Sequence, residues 1–465
     1  MNKEKFILPS AASAGGSTPL FSRRNFLKSS IAAASTIGAG GTVLLNACSP
    51  RQKGGDGGAP LPALPDRAPG GKTLRAGLIG CGSRGTGAAV DFLNAGPDLQ
   101  ITALGDVFQD RIEACRELLK ERMGVEIADE CCFTGFDSYE KVIDSGVDVV
   151  LLCTPPHFRP AHVEAAVNAG KHLFMEKPAA VDPTGVRRVL ASMRRAKATG
   201  LNVVSGTIRR VQKDYMETRR RVLNGETGEI TGAHIIRNGG ALWFRRRRPE
   251  WSDMEYMLRN WANFCWLSGD HITEQFIHEI DVMNWYLGEY PVRAAGWGGR
   301  QRRVTGDQYD FFSIEYLYEN GMRTHCATRQ IDGCSNGKVE QINCAQGYAD
   351  AAGKLFDLKG NLLWEYPYPA EGDTQSEWHI TNPFLQEHIN LVTAIRTGNV
   401  INDGEEQANS TLVAIMGRMA AYTGKEVTRD EVMNADLYLG PDTYDMRRAY
   451  NIPEAAPLAG VPHRE

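Results

Sequence analysis

A chain of 465 residues, with 42% apolar and 23% charged side chains, is long enough for two domains of ordinary size and apolar enough for a substantial buried core. Its 52 Lys and Arg stand against 56 Asp and Glu, a formal charge of −4 that gives no electrostatic case for nucleic acid as a partner. The ten cysteines show no paired short spacing of zinc-site type, so no metal centre is expected.

The N-terminus reads as an address. Ser22-Arg23-Arg24-Asn25-Phe26-Leu27-Lys28 has the form of a twin-arginine export signal, followed by a small-residue apolar stretch from Ile31 to Leu45. That stretch is too short, and too rich in Gly, Ala and Ser, to read as a membrane span. Leu45-Asn46-Ala47-Cys48 has the form of a lipobox, which would lipidate Cys48 and make a lipid anchor the one membrane attachment expected. The expected product is periplasmic or held at the membrane surface. The signal occupies 1–48, and 49–72, rich in Gly and Pro, reads as a flexible tether. Exported proteins form disulfides, but twin-arginine cargo folds before it crosses, so most of the remaining cysteines read as core residues.

Residues 73–206 alternate between strand and helix patterns. Leu74-Arg75-Ala76-Gly77-Leu78-Ile79 is a short apolar run of strand type, and Gly80-Cys81-Gly82-Ser83-Arg84-Gly85 follows. Ala88, Ala89, Phe92 and Leu93 then recur at helical spacing, and a second apolar run, Ile101–Gly105, ends in Asp106. Gly80 allows the tight turn, Gly82 lets backbone approach a diphosphate, and Gly85 lets helix and strand pack closely. Ser83 and Arg84 fall at the helix start, where free N–H groups bind phosphate. Asp106 is placed to accept hydrogen bonds from the adenosine ribose, and its charge favours NAD over NADP. Val147–Cys153 is a continuous apolar run, as in a strand buried on both faces, ending in Thr154-Pro155-Pro156-His157. Helices over His162–Ala169 and Pro183–Thr199 flank Lys171–Pro178, and Asn202–Ser205 closes the series. The alternation predicts a doubly wound parallel sheet in an α/β protein.

Residues 207–440 differ. Gly232–Arg237, Val292–Trp297, Phe311–Tyr318 and Met322–Thr328 read as strands of an open antiparallel sheet, with turns such as Glu319-Asn320-Gly321. One helix is predicted from Ile272 to Trp285, which puts Glu274 and His278 on one face. Others run over Phe384–Thr397, ending at Gly398, and Glu405–Thr423, closed by Gly424. Residues 441–465 form a C-terminal tail. Arg245-Arg246-Arg247-Arg248 is most simply a solvated loop; its sharper reading is recognition of a sulfate, phosphate or carboxylate on a sugar.

Gly80-x-Gly82-x-x-Gly85, Ala169-Gly170-Lys171-His172 through Glu176-Lys177-Pro178, and His278-Glu279-Ile280-Asp281-Val282-Met283-Asn284-Trp285 occur in an order that resembles the Gfo/Idh/MocA oxidoreductases, from residue 73 to about 430. The resemblance implies an N-terminal Rossmann domain with a C-terminal α+β domain built on a large, open, mostly antiparallel sheet. It also implies NAD as cofactor, a small carbohydrate as substrate and contacts between copies of the chain in a homo-oligomer. Lys177 and His278 would flank the nicotinamide and the reacting hydroxyl. An ammonium there can assist loss of the hydroxyl proton and stabilise the growing oxygen charge. Where Glu274 stands the family has an aspartate paired with the histidine, so either partner, His278 or substrate, is open to it. Thr154, Pro155 and His157 match the position covering the nicotinamide ribose, and Glu176 shares the motif of Lys177. Arg209, Arg210 and Tyr215 would reach the substrate, with Arg329 and Gln330 as weaker candidates.

Two reactions compete. A net dehydrogenase would take a hydride from a sugar hydroxyl and release NADH. A redox-neutral enzyme would oxidise C3, lose the acidified C2 proton, expel the anomeric group, add water and return the hydride, as do exported NAD-dependent glycosidases of this family such as α-N-acetylgalactosaminidases. Export argues for the second, because no partner outside the cytoplasm reoxidises NADH. It needs another base, for which His271, Tyr215 and His278 are candidates. The expectation is therefore redox-neutral glycoside cleavage, with the sugar or polyol dehydrogenase as alternative.

Overall fold

The computed structural model describes residues 64–453 and 455–459. The export signal, Cys48 and nearly all of the tether lie outside the described residues.

The first half is the predicted alternation: β1 (Leu74–Ile79), α1 (Ser83–Asn94), β2 (Leu99–Asp106), α2 (Gln109–Met123), β3 (Cys132–Thr134), α3 (Ser138–Asp144), β4 (Val149–Leu152), α4 (Arg159–Asn168), β5 (His172–Met175), α5 (Pro183–Ala198) and β6 (Val203–Ser205). The six strands pair in parallel in the order β3-β2-β1-β4-β5-β6. All four β4 residues are buried. A strand covered on both faces has no polar face to alternate with, which is why its sequence reads as one apolar run. The order reverses between β1 and β4, and a crevice forms at such a switch point outside the carboxyl ends of the strands.

The second half begins with α6 (Lys213–Leu223) and β7 (Ile230–Gly239), then α7 (Asp253–Arg259), α8 (Cys265–Ser268), α9 (His271–Glu274) and α10 (Ile277–Leu287). Strands β8 (Arg293–Gly299), β9 (Phe311–Leu317), β10 (Arg323–Gln330), β11 (Gly337–Cys344), β12 (Gly347–Asp350), β13 (Lys354–Asp357) and β14 (Leu362–Glu365) follow, then α11 (Pro383–Thr397), α12 (Gly404–Thr423), β15 (Val427–Thr428) and α13 (Arg429–Asn434). The nine-stranded sheet has the order β14-β13-β12-β11-β7-β10-β9-β8-β15. It is antiparallel except at its centre, where β7 and β10 run parallel because a long crossover containing α7 to α10 separates them.

Along β7, β10 and β11 the alternate residues Ala233, Ile235, Cys326, Glu340 and Ile342 are buried, and this face packs on α10 and α12. Helix α11 instead covers the nucleotide sheet: Ile389, Leu391 and Val392 join the cluster of Leu78, Phe92, Leu104 and Phe174. Gly398 and Gly424 end α11 and α12 in the left-handed conformation that a residue without Cβ adopts at low cost.

Candidate active site

The glycine loop is shaped from both sides. Gly80 has φ +97°, and a Cβ there would come within 2.7 Å of the Cys153 carbonyl carbon. A Cβ on Gly85 would fall on the Gly80 carbonyl oxygen, so the helix seats against the strand only without one. Gly82, the N-cap of α1, faces open space: nothing lies within 4 Å of a Cβ built on it, and no side chain caps the helix. With Ser83 starting α1, the helix N-terminus is left to receive a diphosphate. Asp106 stitches this loop to β2, its Oδ2 accepting from the Cys81 N–H at 2.7 Å and its Oδ1 from the Phe108 N–H at 2.9 Å. Burial raises its pKa, against the lowering effect of those two bonds. Its remaining lone pairs are those a ribose would use.

Arg84 is engaged elsewhere. Its Nε donates to Glu176 Oε1 at 2.5 Å, and its guanidinium stacks over Phe384 at 4.7 Å. Glu176 Oε2 in turn accepts the Lys177 N–H at 3.1 Å. These two cofactor candidates thus bind each other and brace the turn after β5. Thr154 and Pro155 lie in the turn after β4, where the carbonyl of Thr154 accepts from Arg159 and that of Pro155 from the Phe158 N–H. His157 is buried; its Nε2 meets the Tyr444 hydroxyl at 2.6 Å, and burial pushes its pKa down to about 4. It contacts the C-terminal segment, with Trp266 edge-on at 4.9 Å.

Lys177 follows β5 at the carboxyl edge of the sheet. Its Nζ donates to the backbone carbonyl of Glu274 at 2.7 Å and to Glu274 Oε1 at 2.8 Å. The carboxylate therefore serves the lysine, not His278. The predicted continuous helix is in fact two: the Gln275 and Phe276 N–H groups both bond to His271, and the ladder restarts only when Glu279 and Ile280 bond to Phe276. The break removes the shared face on which a Glu274–His278 pair depends. No hydrogen bond to the His278 imidazole is present among the described residues. Burial, and then the charges of Lys177, Arg209, Arg237 and Lys338, hold its pKa well below the ordinary value, so the imidazole is neutral.

The other candidates separate. His271 is buried; its Nδ1 lies 3.2 Å from both Asp270 Oδ1 and the Tyr309 carbonyl, and burial lowers its pKa. The Tyr215 hydroxyl is also buried, donating to Glu340 Oε2 at 2.5 Å and accepting from Lys338 Nζ at 2.8 Å. Burial, reinforced by Glu340, raises its pKa. Arg210 pairs in two-pronged fashion with Asp281 at 2.8 and 2.9 Å. Arg209 stacks over Tyr215 at 5.2 Å and stays near Glu279 and Glu340 at 3.9 and 3.8 Å. Gln330 is on the helix-facing side of β10 and bonds to Gln275, whereas its neighbour Arg329 bonds to the Ser335 carbonyl. Successive strand residues point to opposite faces, so of the two only Gln330 faces the helices that carry Glu274 and His278.

Arg237, Glu279, Lys338 and Glu340 form a charged cluster beside His278 and were not anticipated as site candidates. Arg237 ends a run read only as strand, Glu279 lies next to His278 in the motif, and Lys338 and Glu340 alternate on β11. A pattern visible one strand at a time could not bring them together.

A cover lies over the residues that follow Asp106. Val107, Phe108 and Phe136 pack with Met254, Met257 and Leu258 of α7, with Phe264 and Trp266, and with Tyr444, Tyr450 and Ile452 of the C-terminal segment. Arg259 stacks over Phe108 at 4.1 Å and bonds to Asp110 at 3.0 and 3.1 Å.

A glycine loop on an uncapped helix, an acid at the end of β2 and a parallel sheet with a switch point define an NAD-binding Rossmann domain. Residues 74–204 match the Gfo/Idh/MocA model, described as "Oxidoreductase family, NAD-binding Rossmann fold". Over 216 residues the chain is 29% identical to a Myo-inositol 2-dehydrogenase of Thermotoga maritima, covering 46% of this chain and 55% of that protein. Over 248 residues it is 26% identical to an Inositol 2-dehydrogenase of Rhizobium meliloti, covering 53% and 65%. The matches span between half and two thirds of these relatives. Among solved structures, an aldose-aldose oxidoreductase from Caulobacter crescentus complexed with glycerol aligns with a TM-score of 0.58 at 19% identity, covering 77% of this chain and 99% of that one. A scyllo-inositol dehydrogenase from Lactobacillus casei with bound NAD(H) and scyllo-inositol aligns at 0.56 and 18%, with the same coverage. At these identities the alignments show the two-domain fold.

Proposed function

We propose that this chain is an NAD-dependent dehydrogenase of sugars or polyols, oxidising a secondary hydroxyl. The observation that carries the reading is Lys177, fixed at two points by Glu274 beside a neutral His278. NAD, when bound by the glycine loop and Asp106, supplies the hydride acceptor. The Lys177 ammonium stabilises negative charge growing on the substrate oxygen, and Glu274 keeps it aimed. His278, with no internal hydrogen bond to break, accepts the hydroxyl proton. The inositol dehydrogenases among the relatives support this over glycoside cleavage, which the sequence had favoured.

Redox-neutral cleavage stands as a second reading on one observation, the cover over the strand end after Asp106, which would keep NAD in place between turnovers. Its extra base would have to be His278, since His271 is closed off from solvent on both ring nitrogens and the Tyr215 hydroxyl is buried against Glu340. Incubating protein purified with its nucleotide with polyols, free sugars and aryl glycosides separates the two. Accumulating NADH supports the dehydrogenase; glycoside cleavage without NADH supports the other. Export through the twin-arginine signal, lipidation at Cys48 and assembly into a homo-oligomer are further parts of the proposal, and mass analysis of the mature N-terminus tests the first two.

A further inference from the structure

Beside Lys177 and His278 the substrate domain presents a basic rim on an acidic floor. Arg237 and Lys338 are direct partners across the β7–β11 ladder. Like charges in that position repel, so neither propensity nor packing explains them. Beneath them lie Glu279 and Glu340, both with fully buried side chains. Arg237 bonds to Glu279 at 2.9 and 3.2 Å, and Lys338 to Glu340 at 3.0 Å. Arg209 reaches the same two carboxylates only at 3.9 and 3.8 Å, and its buried Nε has no hydrogen-bond partner. Three cations thus share two carboxylates, and the exposure is one-sided. Arg237 and Lys338 are 42% and 38% exposed against 0% for the acids. What an incoming molecule meets is positive.

The same end of the sheet carries the loop that follows β7. Asn260 and Asn263 hold its backbone, with Arg245 N–H to Asn260 Oδ1 at 2.6 Å and Asn263 Nδ2 to the Trp243 carbonyl at 3.0 Å. Yet Trp243 and Phe244 remain 47% and 45% exposed. Arg247 is paired with Asp253, while Arg246 has no charged partner among the described residues. Exposed rings beside Arg246, with Arg245 lying over the Trp243 ring at 5.8 Å, on a loop whose backbone is tied down, suit a ligand that has both apolar faces and negative charge.

We propose that the substrate is an anionic carbohydrate, whose carboxylate or sulfate is held by Arg237 and Lys338 while Trp243 and Phe244 offer ring faces to the sugar. This rests on the dehydrogenase reading of the site and names its substrate class. It also links binding to chemistry. Arg237 and Lys338 are among the cations that, after burial, Lys177 and Arg209, disfavour protonation of His278, so an anion bound to them raises the basicity of the residue that takes the substrate's proton.

The test uses protein carrying NAD and matched substrate pairs: glucuronate against glucose, galacturonate against galactose, and sulfated galactose against galactose. In at least one pair kcat/KM should favour the charged member by about tenfold or more at low salt, the usual worth of a charge-assisted contact, and the ratio should shrink as salt rises. Lys338→Gln and Arg237→Gln should each bring the ratio towards unity. Lys338 is the safer variant, because Glu340 would keep its bond from the Tyr215 hydroxyl, whereas Arg237→Gln strips buried Glu279 of its closest partner. Binding is read separately, from the fluorescence of protein loaded with NADH. If neutral members reduce NAD as fast as, or faster than, their charged partners in every pair, the anionic proposal falls and the dehydrogenase reading stands. If glucuronate, galacturonate or sulfated galactose binds with the predicted salt dependence but no sugar reduces NAD, the dehydrogenase reading falls and the anion site stands.

Discussion

Lys177 and Glu274 lie 97 residues apart, and the ammonium of the first is held by both the backbone carbonyl and the carboxylate of the second. Lys177 comes from the turn after β5 and Glu274 from the last residue of α9, so this contact joins the nucleotide domain to the substrate domain at the proposed active site. Two acceptors fix the Nζ position, and a positioned charge does more for a transition state than a mobile one.

Replacing Lys177 with Ala should lower turnover by at least about a hundredfold, the range of acid–base and electrostatic assistance, while the nucleotide content of the purified protein is unchanged. Glu274→Gln keeps the carbonyl contact and a neutral acceptor, so it should lie between wild type and Lys177→Ala, roughly tenfold down. Steady-state rates and nucleotide released on denaturation check the order. A Glu274→Gln enzyme as fast as wild type would show that the contact does not position the lysine.

Asp106 ties the glycine loop to β2 and leaves lone pairs for a ribose. Asp106→Ala should weaken NAD binding by about tenfold or more, since loop anchoring and ribose contact are lost together. Wild-type protein should release NAD, and mass spectrometry identifies the nucleotide. Release of NADP would overturn the role of this carboxylate.

Tyr444 stacks on Phe136 at 5.2 Å and bonds to His157, pinning the C-terminal segment over the residues that follow Asp106. Tyr444→Ala should speed NAD release by about tenfold, corresponding to the loss of roughly 1.4 kcal/mol of closure. Exchange of bound NAD for a labelled pool measures it. An unchanged exchange rate would mean that the segment does not retain the nucleotide.

His388 is enclosed against Phe174 at 4.3 Å, and neither ring nitrogen has a hydrogen-bond partner. Burial, and secondarily Arg84, lower its pKa to about 3. The folded value lies below that of the unfolded chain, so at pH 5 unfolding takes up a proton. Stability is lost as pH falls below the unfolded value, down to about 3. His388→Leu removes that penalty, about 2 kcal/mol at pH 5 and almost none at pH 8. Urea unfolding at both pH values should show a larger gain at pH 5; an equal gain at both would contradict the assignment.

The fold was largely open to sequence reasoning because its signals are local. The β4 run, Gly80 with Gly85, and the caps at Gly398 and Gly424 each state their conformation within a few residues. Lys177 was singled out the same way, from a motif after a strand, and the structure places it in the turn after β5. What escaped depends on distant contacts. One helix was expected through Glu274 and His278, because their spacing suits a helix and nothing in the residues between announces the break at Gln275. Arg84 and Arg210 looked like ligand contacts because an arginine near a site has that chemistry; their partners, Glu176 and Asp281, are 92 and 71 residues away. The pairing of Arg237 with Lys338 needed the order of the strands, which alternation along one strand does not contain.

The most direct test of the central claim is the absorbance of NADH after protein purified with its NAD is mixed with a panel of polyols, neutral sugars and their acidic counterparts, with no other cofactor present. Absorbance should rise towards one NADH per chain with at least one member of the panel, and should not rise with the Lys177→Ala protein. No rise with any member, or the same rise in the variant, would contradict it.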